Sequence, residues 1–341
     1  MRKFFIPVIG LGALCATAAH AAPAPVKPAA LKIEKVTLPG EGRGDYVYAD
    51  TDNRRLYVTH AAVVHILNLD TLKTIGEITG FGKSAGVAFA AGKGFATDAG
   101  GDKVIVFEPA TGKTINTIPG GKKPDAIVTD PVTGMVYVFN GHAGSVSVVD
   151  PKAEKIVKTI DLGEDPEYAR TDGQGKVYVN LGDSHSIGVI DTATQTLVKK
   201  MVIADCEGPA ALAIDTKNRR LFSGCGNNQM KVVNLDTGAT IAGIPVGEDP
   251  DGIMYDGQAH RITVAARDGS WTVVDQLGPD SYRVNRTLKI DPYAKTLGFD
   301  SQYGVLFSST ADLVWPKAVP GQRLLPDAAP GTFRLMVIRP M

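Results

Sequence analysis

Apolar residues along this chain fall into short runs separated by Gly, Pro, Asn and Asp. The clearest example lies between Pro124 and Asp165. Residues 125–129 form a first run, closed by Asp130-Pro131-Val132-Thr133-Gly134. Residues 135–139 follow, broken by Asn140-Gly141-His142-Ala143-Gly144. Residues 145–149 alternate small polar residues with Val, and after Asp150-Pro151 residues 155–162 alternate charge with Ile and Val. Runs of about 4–8 residues rich in β-branched and aromatic side chains, punctuated by turn formers, predict strands. This stretch therefore predicts four strands in series.

The same pattern recurs along the chain. The second strands centre on Tyr57, Phe95, Tyr137, Tyr178, Phe222, Thr263 and Phe307, spaced 38, 42, 41, 44, 41 and 44 residues apart. A period of about 40–45 residues with four strands per unit predicts a β-propeller rather than a solenoid. The fold class expected is all-β: a seven-bladed β-propeller of four-stranded blades. Acids close many third strands (Asp70, Glu108, Asp150, Asp191, Asp236, Asp275), often before Thr or Pro, and read as turn formers. The seventh repeat supplies a third strand at 333–338 and then lacks a fourth. Residues 32–38 resemble 155–162, so the N-terminal strand is expected to complete the last blade and close the ring.

Tyr137-Val138-Phe139-Asn140, Tyr57-Val58-Thr59-His60 and Tyr178-Val179-Asn180 resemble the Tyr-Val-Thr-Asn repeat of the YVTN β-propellers, and the chain resembles their YncE-like exported members over residues 32–340. The resemblance implies the propeller fold. Its relatives include binding and scaffold proteins, lactonases and subunits of redox enzymes, and the YncE-like group implies single-stranded nucleic-acid binding as one alternative.

Processing and composition narrow this further. Arg2 and Lys3 precede an apolar stretch that ends in Ala19-His20-Ala21, so residues 1–21 read as a signal peptide. Residues 22–31 form a Pro/Ala linker, and 32–341 the propeller. The expected destination is periplasmic or secreted, with no membrane anchor, since the apolar stretch is shorter than a span. With 36 basic and 36 acidic residues, net charge gives no general grip on nucleic acid. Cys206 and Cys225, which remain after processing, are expected to form a disulfide. A monomer is expected.

Candidate chemistry concentrates where each blade leads into its first strand. Those positions are Asp45, Gly86, Asp125, Glu167, Ala210, Asp251 and Lys295, with Tyr46 and Tyr168 following two of the acids. Each acid alone suits a turn cap. Seven-fold geometry would instead gather them around one opening, where crowded carboxylates raise one another's pKa or recruit a cation. Loops after the second strands, on the same face, carry His142, His185 and Arg267. Repeat seven inserts residues 311–330, placing Trp315 and Arg323 in a Pro-rich loop expected on that face. No G-x-S-x-G, Walker, dinucleotide or C-x-x-C-H motif is present. The favoured function is therefore a binding or scaffold protein with a small molecule or protein as partner. The alternatives are a lactonase- or lyase-type or metal-assisted hydrolytic enzyme, using Glu167 or Asp251 as base with His142 or His185, or a nucleic-acid binder. No cofactor is predicted, and a divalent metal is the one the acids could recruit.

Overall fold

The computed structural model describes residues 30–317 and 324–340. The signal peptide and all but the end of the linker lie outside the described residues. Seven four-stranded antiparallel sheets make seven blades. In blade 3 the strands are Pro124–Thr129, Val136–Asn140, Ser145–Asp150 and Lys155–Asp161, within a residue or two of the runs read from the pattern. Blade 1 opens at Gly44–Asp50 and the others follow in chain order. Blade 7 is closed as expected. Leu31–Thr37 pairs antiparallel with Arg334–Pro340, Leu31 opposite Pro340 and Thr37 opposite Arg334. Leu31 thus belongs to the closing strand, although the composition groups it with the linker.

The middle strands carry the core. Val136–Asn140 is buried throughout; Tyr137 and Phe139 pack with Val177, Val179 and Leu181 of blade 4, and Val136 and Val138 with Phe95 and Val104 of blade 2. Six of the seven second-strand centres are buried aromatics, each contributing about 1.5–3 kcal/mol on burial. The repeat tyrosines also tie blades together. The Tyr57 hydroxyl donates to the Pro109 carbonyl at 2.9 Å, and Tyr137 to Thr192 at 3.4 Å, each reaching a turn of the next blade. A buried tyrosine needs such a partner for its hydroxyl. The third-strand acids cap turns or pair with neighbouring arginines, for instance Asp150 with the Lys152 and Ala153 amides and Asp236 with Arg219.

Two sets of β-bulges shape the blades. In the fourth strands of blades 1 to 5 the ladder skips one residue: Ile75, Ile115, Val157, Val198 and Ile241. A bulge at a sheet edge increases twist and interrupts pairing with other edges. The second set lies in the first strands, next to the axis. There the ladder jumps from Gly44 to Val47, Ser84 to Val87, Pro124 to Ile127 and Pro166 to Ala169.

Cys206 and Cys225 form the expected disulfide, with Cα atoms 5.2 Å apart. It joins the lead-in of blade 5 to the end of that blade's second strand. The insertion in blade 7 is an extended loop carrying one short ribbon, Leu313–Val314 against Asp327–Ala328. Arg323 lies outside the described residues. Among the described residues no helix is long and apolar enough to cross a membrane.

Candidate functional site

The first-strand bulges place the lead-in side chains around the axis. Asp45, Asp125 and Glu167 each follow the last paired residue before a bulge, so they escape the strict in-out alternation of a ladder. Neighbouring blades hold these bulges in place: the Thr97 hydroxyl donates to the Asp125 carbonyl at 2.6 Å and Thr296 to Asp45, while the Tyr168 amide donates to the Ala210 carbonyl at 3.2 Å. The result is a funnel of about 490 Å³, lined among others by Asp45, Asp125, Glu167, Asp251, Arg267 and Lys295. Of the seven expected lead-in positions, Asp45, Asp125, Glu167, Asp251 and Lys295 line it, and Gly86 and Ala210 do not.

Blade 2 departs from the expected alignment. Its ladder begins at Ser84 where blade 1 begins at Gly44, so the equivalent of Asp45 is Ala85, and Gly86 is the equivalent of Tyr46. The bulge, invisible in a count from the second strand, shifts the register by one. A side chain at Gly86 would be obstructed: a Cβ there would stand 2.7 Å from Ile127 and 2.8 Å from the Asp125 carbonyl oxygen.

The four acids divide into two pairs. Lys295 Nζ reaches Asp251 at 2.6 Å and Asp45 at 3.1 Å, and Arg267 reaches Asp251 at 3.1 Å. Burial pushes the Asp251 carboxyl up, but Lys295 and Arg267 outweigh it and hold it at about 2. Asp45 is likewise held below its ordinary value by Lys295 and Lys83 against burial. Lys295 is itself raised, since these two carboxylates outweigh the cost of burying its charge. Among the described residues no cation forms an ion pair with Asp125 or Glu167. Burial, then the charge of Asp45, lifts Asp125 to about 6. The enclosing wall, then Asp251 and Asp125, lifts Glu167 to about 7. Asp125 Oδ1 is buried and, among the described residues, accepts no hydrogen bond.

Below the carboxylates the rings of Tyr46 and Tyr168, from blades 1 and 4, meet across the axis at 4.9 Å. They line both the funnel and a second chamber of about 610 Å³ further along the channel. Trp315 leans edge-on against Tyr293 at 6.0 Å, while Leu325 and Asp327 of the same insertion line the funnel itself. Trp315 borders an adjoining hollow that shares Arg267 and Tyr293 with the funnel.

His142 and His185 are not brought to the funnel. His142 is exposed on a short turn, Gly141–Ala143. His185 is also exposed and accepts from the Gly208 amide at 3.1 Å. Asp251, held by two cations, is unsuited to act as a base. Among the described residues no three His, Cys, Asp or Glu side chains are grouped so as to hold a metal ion. The Gly/Asp-rich stretch after blade 2's second strand is a turn: Asp98 accepts from the amides of Gly82, Lys83, Gly100 and Gly101.

The repeat reading did not single out Arg43, Lys83 and Lys123, which also line the funnel. They occupy one column, the residue before Gly44, Ser84 and Pro124, and aligning that column would have found them.

A family described as a domain of unknown function, DUF5074, matches residues 51–272, from blade 1 into blade 6. The chain belongs to the DUF5074 family. No curated protein matches it. Among solved structures this DUF5074 chain is similar to Kuenenia stuttgartiensis hydrazine synthase, at 15% identity and a TM-score of 0.69, covering 80% of this chain and 94% of that one. It is also similar to the RRP9 WD40 repeats (10%, TM-score 0.74, covering 91% and 97%) and to U3-55K (10%, 0.73, 91% and 98%). At these identities the likeness is one of fold, and it supports the propeller. None of these matches carries the YVTN name.

Proposed function

We propose that this DUF5074 propeller is an exported ligand-binding protein whose funnel takes a small polar molecule presenting an ammonium or guanidinium group to Asp125 and Glu167. The observation that carries this reading is the buried Oδ1 of Asp125, which, among the described residues, accepts no hydrogen bond. A buried carboxylate without a partner is costly, and a ligand cation would relieve it. The arrangement also has polarity: Lys295 and Arg267 neutralise Asp45 and Asp251, leaving Asp125 and Glu167 as the acids to engage. The Cys206–Cys225 disulfide supports an oxidising compartment, consistent with a periplasmic or secreted protein.

A thermal-shift and calorimetric screen of diamines, guanidines and amino sugars tests this. A cationic ligand should bind with release of protons near pH 6–7, because its charge pulls Asp125 and Glu167 down from about 6 and about 7. Asp125→Asn with Glu167→Gln should remove the binding. Unchanged affinity in that double variant would refute the assignment. A second reading, acid–base catalysis, is favoured by the same two values, which suit proton transfer near neutrality. Turnover of a bound lactone or ester, lost in Glu167→Gln, would replace the binding reading.

A further inference from the structure

The channel beyond the Tyr46–Tyr168 pair contains a cation for which the funnel has no use. Arg170 lies two residues after Tyr168 in the same first strand, and both line the chamber. Its guanidinium packs over the Tyr168 ring at 5.0 Å and donates one hydrogen bond, at 3.0 Å, to the carbonyl of its neighbour Ala169. Among the described residues no carboxylate forms an ion pair with it. Of the funnel's cations, Lys295 is engaged by two acids, Arg267 by Asp249 and Asp251, and Lys83 by Asp45 at 3.6 Å, while Arg43 packs over the Tyr293 ring. Burial draws Arg170 below its ordinary value, and the Tyr168 and Tyr46 phenols only partly oppose this.

An arginine offers five donors in a planar fork matched to a carboxylate. Arg170 is half-buried and uses one donor within its own strand, so the rest of the fork is open to a ligand in the chamber. The chamber of about 610 Å³ that Arg170 faces has an apolar side, Phe89, Met254, Leu297 and Phe299, and a polar side that includes Tyr48, Thr51 and Ser301. Two acids line it, Asp50 and Asp52. Asp50 is occupied by the backbone amide and side-chain amide of Asn53. One fork and an apolar wall define the complement: a carboxylate on an apolar body.

We infer that this lower chamber is a second binding site, taking an organic carboxylate through Arg170, separate from the funnel above Tyr46 and Tyr168. A fully hydrated inorganic oxyanion gains nothing from Phe89, Met254, Leu297 and Phe299, and Asp50 and Asp52 disfavour its higher charge.

Calorimetry and thermal shift on the purified protein, with benzoate and hexanoate as probes and inorganic phosphate and chloride as controls at matched ionic strength, test the inference. Both carboxylates should bind and raise the melting temperature, while phosphate should not. Arg170→Gln should weaken benzoate by at least about tenfold and Arg170→Lys by less, because lysine keeps the charge but loses the fork. Asp125→Asn with Glu167→Gln should bind benzoate like the wild type, which separates this site from the funnel. Ligand-free Arg170→Gln should melt at or above the wild-type temperature, since it removes an unpaired cation. The inference is overturned if neither carboxylate binds at about 10 mM, a concentration well above a specific site's dissociation constant. It is equally overturned if Arg170→Gln binds benzoate unchanged, if phosphate stabilises as much as benzoate, or if ligand-free Arg170→Gln melts lower.

Discussion

Asp45 and Asp125 occupy equivalent positions on blades 1 and 3, yet their carboxyls are displaced in opposite directions. The difference is the reach of Lys295, which contacts Asp45 and not Asp125. This gives a stability signature. The folded value of Asp125, about 6, exceeds its ordinary 3.8. The native state therefore holds a proton that the unfolded state has lost across this window, and stability falls as pH rises through it. Asp125→Asn should remove that loss. It should be more stable than the wild type at pH 8 by on the order of 1–2 kcal/mol and equal to it near pH 4. Urea midpoints at both pH values measure this, and a variant less stable at pH 8 would contradict it.

The buried histidines act with the opposite sign. The Gly42 carbonyl, His60, His65 and Glu77 form a chain with contacts of 3.1, 3.2 and 3.0 Å. Two neutral imidazoles have one proton each, one fewer than three hydrogen bonds require. One further proton must therefore sit on a ring or on Glu77 for all three to form. Burial, then His65, depresses His60 to about 4 from 6.5. Its contribution is complete above about 6.5 and is lost as pH falls toward 4. The two slopes overlap and partly cancel in the wild type, so variants resolve them. His60→Gln should flatten the loss between pH 6.5 and 4, and an unchanged acid limb of the stability profile would count against the assignment.

At the scale of elements, strands were legible and their registers were not. The second strands announce themselves through buried aromatic and β-branched triplets such as Val136-Tyr137-Val138, because they sit in the middle of each blade and contact both neighbours. A bulge leaves no comparable mark. It adds a residue without changing polarity, so Gly86 looked like a lead-in position when the structure assigns that place to Ala85. Arg170 escaped notice for a related reason: a lone arginine in a strand ordinarily reaches solvent, and only the ring of blades turns this one inward. The cysteines could be read because one repeat contained both, at opposite ends of adjacent strands. Their 19-residue separation implies about 3 kcal/mol from restricting the unfolded chain. Cys206→Ser with Cys225→Ser should lower stability by about that much without opening the ring, since the link lies within blade 5. Denaturant midpoints of the oxidised protein and the double variant check this, and equal midpoints would show that the bond does not restrict the unfolded ensemble.

At the scale of the molecule, a propeller keeps its funnel only while the ring stays closed, because the axial side chains come from different blades. Asp45 of blade 1 and Lys295 of blade 7 form a 3.1 Å contact directly across the closing seam. The seam is secured by Leu31–Thr37 along Arg334–Pro340, by the Leu38 amide donating to the Phe333 carbonyl at 3.1 Å, and by the His60 ring stacked on Phe333 at 3.7 Å. Without the closing strand, Arg334–Pro340 becomes a free edge carrying the buried residues Leu335, Met336, Val337 and Ile338. Such an edge recruits other chains. A protein beginning after residue 37 should therefore elute as oligomers, melt at least about 10 °C lower, given the several kcal/mol of lost packing, and lose the ligand response of the funnel because Lys295 no longer meets Asp45. A synthetic Leu31–Thr37 peptide added in excess should restore part of the melting temperature by refilling the edge. If the shortened protein stayed monomeric with an unchanged melting temperature, closure by the N-terminal strand would not be what holds blades 1 and 7 together.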